Sequence, residues 1–205
     1  MWEKLARVGF GNKLGIWEPE NMRKGAAMRY STGAIILHWL IAVLIALNFA
    51  AAWVAEDLPK PEQMQVMANH KAIGITVLLL TLVRIGWRLM HVAPPLSPHL
   101  KTWEAGLAKA VYGLLYLVML ALPVTGWGMH LTGSGGKPVN VFGVFAYPGL
   151  PVAHDKALSD VFHEMHGLFA TLMLALLFLH VAGALKHQFI DRDGEMRRMW
   201  FGRGQ

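Results

Sequence analysis

The chain has 205 residues, is 55% hydrophobic and contains no cysteine. This composition is too apolar for an ordinary soluble domain, and it excludes disulfides and cysteine-ligated metal clusters. The formal net charge is +6. Lys and Arg are frequent in every second segment between the apolar stretches and rare in the others, which is the pattern of a membrane protein. We therefore predict a membrane protein and no nucleic-acid partner.

Residues 1–28 mix charged residues with scattered aromatics and contain no long apolar run. We predict that they form an N-terminal cytoplasmic extension, either disordered or lying at the membrane interface. The membrane domain is predicted at 29–190, and a cytoplasmic tail follows at 191–205.

Four apolar stretches are long enough to cross about 30 Å of hydrocarbon as helices. We predict these helices at roughly residues 33–54, 71–90, 108–130 and 166–187. The fold class is therefore an all-α membrane protein, a bundle of four transmembrane helices.

The first two helices each carry a histidine. Helix 1 has Ser31 or Thr32 available as its N-cap and contains His38. His70 lies at the outer end of helix 2, and Arg84 follows fourteen residues later on nearly the same face. A buried arginine that faces the bundle requires an anion. If the histidines bind a haem, one of its propionates would serve. The alternative is that Arg84 extends to the cytoplasmic interface.

Helix 4 carries two histidines, His166 and His180, in HGLFATLMLALLFLH. At 100° per residue their spacing returns to within about 40° of the same face and separates the side chains by about 21 Å. An uncompensated polar ring inside a bilayer is costly, so these histidines indicate a functional site. Their positions suit a helix that ligates two metal centres stacked across the membrane.

Depth along the helices selects the partners. His70 and His166 both open helices near the outer surface, so we predict that they form one pair. His38 lies about 8 Å from the cytoplasmic start of helix 1 and His180 about 20 Å down helix 4, so these two meet at a second level. Bis-histidine iron has no open coordination position, which favours electron transfer over oxygen binding. Without cysteine, any haem is the non-covalent b type.

Two further histidines compete for roles. His163 could replace His166 at the outer level, but it lies about 100° away from the helix 4 stripe, so we favour His166. His187 stays on that stripe closer to the cytoplasm, where we predict a propionate or interface contact.

The orientation follows from the basic residues. Fifteen of the nineteen Lys and Arg lie in the first thirty residues, around the second connection, or in the tail. The other four are Lys60, Lys71, Lys137 and Lys156. By the positive-inside rule, both termini are cytoplasmic.

Five stretches resemble the bacterial cytochrome b561 family, which is similar to the cytochrome b subunits of nickel-iron hydrogenases. They are RYSTGAIILHW, NHKAIGITVLLLTLVRIGWRL, YLVMLALPVTGWGM, GKPVNVFG and LHVAGALKHQF. The resemblance implies a four-helix bundle in the bacterial inner membrane that holds two b haems and exchanges electrons with the quinone pool. Carried over by position, the family's ligand histidines fall on His38, His70, His166 and His180. HEMHG departs from the pattern by offering His163 as well.

Three functions are compatible with these sequence features. The first is a di-haem cytochrome that passes single electrons between the quinone pool and a periplasmic-side partner in respiratory electron transport. The second is a superoxide:quinone oxidoreductase, which some family members resemble, so whether the chain is an enzyme stays open. That activity needs an electropositive outer funnel, yet outer acidic residues outnumber the basic ones. The third is a metal-ion transporter, which is disfavoured because the predicted helix interiors contain no Asp, Glu or Cys.

Overall fold

The computed structural model describes residues 29–91, 94–95 and 100–200. Its four long helices are α1 (Thr32–Glu56), α2 (Lys60–Met90), α3 (Thr102–Ser134) and α4 (Lys156–Lys186). Each is long and apolar enough to cross a membrane, which confirms the four predicted spans. The predicted 1–28 extension lies outside the described residues.

All four helices begin before their predicted apolar windows, and α2 and α4 do so by ten residues or more. α2 begins at Lys60 with Pro61 in its first turn, and α4 begins at Lys156, where the Asp155 side chain accepts a hydrogen bond from Leu158 N at 2.9 Å. An apolar stretch of sequence marks only the part of a helix that suits hydrocarbon. The helix itself begins at its capping residue, and polar residues lie between that residue and the apolar stretch. His70 and His166 therefore lie about 15 Å inside their helices and not in the first turn.

The start of α1 is joined to the end of α2. Ser31, one of the two predicted candidates, is the N-cap of α1, and its Oγ accepts a hydrogen bond from Ala34 N at 3.4 Å. The same hydroxyl accepts a second bond from Trp87 Nε1 at 2.9 Å. This cap thus fixes the two helix ends together at one end of the bundle.

The helices pack as two close pairs. α1 lies against α2 and α3 against α4, with α2 contacting α3 to join the pairs, whereas α1 and α4 make little backbone contact over the described residues. The buried core consists of Ile41, Val77, Val111, Val118, Met119, Met173 and Leu176. Met173 lies midway between His166 and His180 in α4, so this packed layer separates the two histidine levels.

Large apolar side chains are exposed on every long helix, including Val43, Leu82, Leu117 and Phe178. Such extended apolar surface is unusual on a soluble monomer. In a bilayer these side chains contact lipid tails, while the helical backbone satisfies its own hydrogen bonds.

A short hairpin of β1 (Val139–Val141) and β2 (Phe145–Tyr147) lies in the connection between α3 and α4. Its turn contains Phe142 and Gly143, both with positive φ (53° and 74°). Val139 and Val141 pack against Ala72 and Ile75 of α2. The hairpin therefore covers α2 next to His70.

The chain after α4 folds back onto the bundle. It forms a π-helical turn (His187–Asp191) and a short 3₁₀ helix (Glu195–Met199). Trp39 Nε1 in α1 donates to the Met199 carbonyl at 2.8 Å, and Arg198 Nη2 donates to the Pro95 carbonyl at 2.7 Å. The described part of the predicted tail is thus packed beside the start of α1.

Candidate metal centres

Two pairs of histidines face each other across the bundle. His38 of α1 and His180 of α4 have ring centroids 6.0 Å apart, with ring planes inclined by 73°. His70 of α2 and His166 of α4 have centroids 6.2 Å apart, again at 73°. We call these the inner pair and the outer pair.

The separation within each pair suits one shared metal ion. A metal–imidazole bond is about 2 Å long, so two rings on opposite sides of one metal have centroids about 6 Å apart. Neutral imidazole is also a common ligand for iron. Both pairs therefore have the spacing for a site in which two histidines bind one metal.

The second ring nitrogens of the outer pair meet backbone carbonyls. His70 Nδ1 lies 3.2 Å from the Asn48 carbonyl of α1, and His166 Nδ1 lies 3.0 Å from the Leu122 carbonyl of α3. A carbonyl only accepts, so each Nδ1 donates and carries the proton. This leaves each Nε2 with its lone pair, the arrangement usual for metal-binding histidines.

Glycine at position 126 allows α3 to approach the His166 ring. A Cβ at Gly126 would lie 3.0 Å from His166 Cε1 and 3.2 Å from its Nδ1. These distances are tighter than ordinary carbon contacts, and the bond to Leu122 restricts movement of the ring. Gly126 therefore helps to set the position of His166.

His163 is exposed on α4, and the ring that faces His70 is that of His166. Elsewhere, His91 stacks on Trp87 with centroids 4.3 Å apart, and His154 Nδ1 lies 3.1 Å from the Thr132 carbonyl. His130 Nε2 is buried without a hydrogen-bond partner among the described residues.

Arg84 lies beside the inner pair. Its Nη1 is 3.1 Å from His38 Nδ1, and its Nε donates to Tyr116 Oη at 3.0 Å. A guanidinium only donates, so His38 Nδ1 is the acceptor in this contact. The inner pair thus differs from the outer pair, because a cation and not a carbonyl meets the second ring nitrogen of His38.

His187 lies among carboxylates at the end of α4. Its Nδ1 is 2.7 Å from Asp193 Oδ2 and 3.2 Å from Asp191 Oδ2. Lys186 bridges Asp191 at 2.5 Å and Glu104 of α3 at 3.0 Å. Lys186 thus joins the end of α4 to the start of α3 through ion pairs, and His187 contacts the same group of carboxylates.

Sequence reasoning did not find the partners of the second ring nitrogens. The Asn48 and Leu122 contributions are backbone carbonyls, which every residue type supplies, so no sequence signal could identify them. Tyr116 carries a weak signal, since its hydroxyl lies in an otherwise apolar stretch of α3 and needs a polar neighbour.

Comparison with known proteins matches the family model described as prokaryotic cytochrome b561 to residues 29–202. Cytochrome b561 homolog 2 of Escherichia coli (strain K12) is 30% identical over 173 residues, which cover 83% of this chain and 90% of that protein. The probable superoxide oxidase CybB of Yersinia pestis is 27% identical over 171 residues, covering 83% of this chain and 95% of that protein. Cytochrome b562 of Cereibacter sphaeroides is 29% identical over 179 residues, covering 83% and 94%.

Proposed function

We propose, since this chain belongs to the prokaryotic cytochrome b561 family, that it is a di-haem b-type cytochrome of the inner membrane. Membership makes it a membrane-embedded electron-transfer protein and implies b-type haem. We propose, beyond family membership, the number of haems, the residues that bind them and the redox partners.

The observation that carries the proposal is the pair of facing imidazoles at each of two levels, with centroids 6.0 and 6.2 Å apart. His38 and His180 would hold the inner haem, and His70 and His166 the outer haem. Haem b, when bound, supplies a one-electron iron couple. With two histidines to hold each haem, each site would exchange electrons without binding oxygen.

Two further residues are proposed to contact haem propionates. Arg84 is the first, because its guanidinium lies beside the inner pair. His187 is the second, and its contact would use Nε2, since Nδ1 pairs with Asp193.

The proposed topology has both termini in the cytoplasm. Residues 1–28 form an extension, 29–190 the membrane domain and 191–205 a tail. Electrons would pass between the quinone pool, dissolved in the surrounding lipid, and a redox partner at the periplasmic surface. The distribution of Lys and Arg supports the orientation of the termini.

Haem quantitation on the purified protein tests the proposal. We expect two b haems per chain, both six-coordinate and low-spin when oxidised, because each iron has two imidazole ligands. A ratio near one haem per chain, or a dominant high-spin spectrum, would contradict it.

Superoxide oxidation is the second candidate, favoured by the similarity of this chain to the probable superoxide oxidase of Yersinia pestis. The charges near the outer ends of the helices do not favour it, because Lys156, one of the four outer lysines, pairs with Asp160 at 2.7 Å. A steered reaction with an anion slows as ionic strength rises. Quinone reduction by superoxide at a rate that falls with added salt would make this candidate the better one.

A further inference from the structure

A small cavity lies where α1 begins and α2 ends, next to the inner pair. Its volume is about 40 Å³, and its wall includes Arg84, Arg88, Tyr112 and Tyr116. We call it the arginine cavity. No Asp or Glu is among the described residues that line it.

Its two cations have no carboxylate partner among the described residues. Arg84 is half-buried and bonds to Tyr116, while Arg88 at the mouth lies over the Tyr112 ring, 4.4 Å from the centroid. An unbalanced cation inside a transmembrane helix, such as Arg84, is costly and marks a binding site. The cavity therefore has the charge of a site for an anion.

The Tyr112 hydroxyl provides an independent sign of a ligand. Its Oη is buried beside the Tyr116 phenol but has no well-formed hydrogen-bond partner in the described structure. A buried hydroxyl without a partner destabilises the protein unless something supplies the missing bond. An anionic oxygen in the cavity would supply it.

If His38 bound a haem iron, its contact with Arg84 would also be lost. A histidine that binds iron through Nε2 keeps its proton on Nδ1. His38 Nδ1 accepts from Arg84 here, and a guanidinium offers no acceptor for an Nδ1 proton. The contact with His38 is thus incompatible with ligation through Nε2, and the guanidinium then needs an acceptor elsewhere.

We propose that the arginine cavity binds a propionate carboxylate of the inner haem, with Arg88 and Tyr112 joining Arg84 as its ligands. This inference rests on the di-haem function proposed above. A cavity of 40 Å³ has room for about three water molecules, which matches a carboxylate. Pockets that enclose a ring-sized ligand such as a quinone have volumes of about 300 Å³ or more.

The test is a redox titration of both haems in nanodiscs of neutral phosphatidylcholine, comparing wild type with Arg88→Gln. A cation near the haem favours its reduced form, so its removal should lower the inner midpoint potential. We expect an about tenfold change in the oxidised-to-reduced ratio, equivalent to about 59 mV for one electron. The inner haem is identified as the one that is lost in His38→Ala. Lys109→Gln, which removes an exposed charge elsewhere on α3, should leave both potentials unchanged.

Haem transfer to apomyoglobin provides a second readout. Tyr112→Phe keeps the ring but lacks the hydroxyl, so the inner haem should leave about tenfold faster, as expected for one hydrogen bond to an anion.

If wild type holds two haems but neither variant changes potential or transfer rate, the cavity assignment is wrong and the di-haem function stands. If wild type lacks the second haem, the proposed function fails and the inference fails with it. An Arg88→Gln effect seen only in phosphatidylglycerol nanodiscs would assign the anion to a lipid phosphate and overturn the propionate.

Discussion

At the residue scale, the role of each candidate ligand depends on what its second ring nitrogen contacts. The outer histidines donate to the Asn48 and Leu122 carbonyls, which orients both rings and leaves Nε2 free to ligate. His38 instead meets Arg84. The two sites therefore have different electrostatic surroundings, which provides a physical basis for different redox potentials.

Alanine substitutions test the proposed assignment of two haems to the two histidine pairs. Replacing His38 or His180 removes the inner haem, because one imidazole and a ring-sized gap cannot hold the iron. Replacing His70 or His166 removes the outer haem and spares the inner one. Haem content and redox titration measure both effects.

His163→Ala is the matched control on the same helix, and it should retain both haems because its side chain is exposed. Loss of the outer haem in His163→Ala, together with its retention in His166→Ala, would show that the outer ligand is misassigned.

Gly126→Ala tests the close approach of α3 to the outer pair. The new Cβ would press on the His166 ring, which the Leu122 carbonyl holds in place. We expect a lower occupancy of the outer haem and an unchanged inner haem, measured by haem content at equal protein concentration. Gly106→Ala in the same helix meets nothing within 4 Å and should behave as wild type. Full outer occupancy in Gly126→Ala would mean that the ring can move aside.

At the element scale, the hairpin is attached to α2 by side-chain packing. Val141 is 2% exposed within a small core that also contains Val139, Ala72 and Ile75. Because Ala72 and Ile75 follow His70 closely in α2, the hairpin supports the helix segment that carries this ligand candidate.

Val141→Ala should loosen the hairpin. Removing two buried carbons costs about 1–3 kcal/mol, so cleavage within residues 139–147 by an added protease should become faster and the melting temperature should fall. Val144→Ala removes the same atoms from a side chain that is 82% exposed and should change neither measurement. Equal cleavage rates in the two variants would show that the hairpin is held by other contacts.

At the scale of the whole molecule, the bundle consists of two helix pairs, and the histidine pairs connect them. α1 and α2 contribute one ligand candidate each, and α4 contributes the other two. Since α1 and α4 make little backbone contact over the described residues, the inner histidines meet across the seam between these helices. A bound haem would therefore stabilise the association of the pairs, as any ligand of the folded state does.

Reporter fusions test the orientation of the bundle. A tag at either terminus should be cytoplasmic, because most Lys and Arg lie in the segments on that side. A reporter inserted within residues 133–137 should be periplasmic. A periplasmic C-terminus would reverse the inner and outer levels throughout.

The number of spans and the pairing of the histidines could be predicted from the sequence alone, whereas His70 and His166 lie deeper in their helices than predicted. Apolar length defines a spanning helix, and the helical period determines which residues share a face; both are local properties of the chain. For the same reason the fourteen-residue spacing of His166 and His180 was sufficient to predict two levels.

Only the tertiary structure decided how far the helices extend and what surrounds the rings. α2 and α4 continue through polar residues that an apolar window cannot include. The carbonyls of Asn48 and Leu122, the contact of Arg84 with His38 and the cavity beside it depend on how each helix is rotated and seated against its neighbours. That rotation results from the packing of all the side chains together, which no single segment of sequence contains.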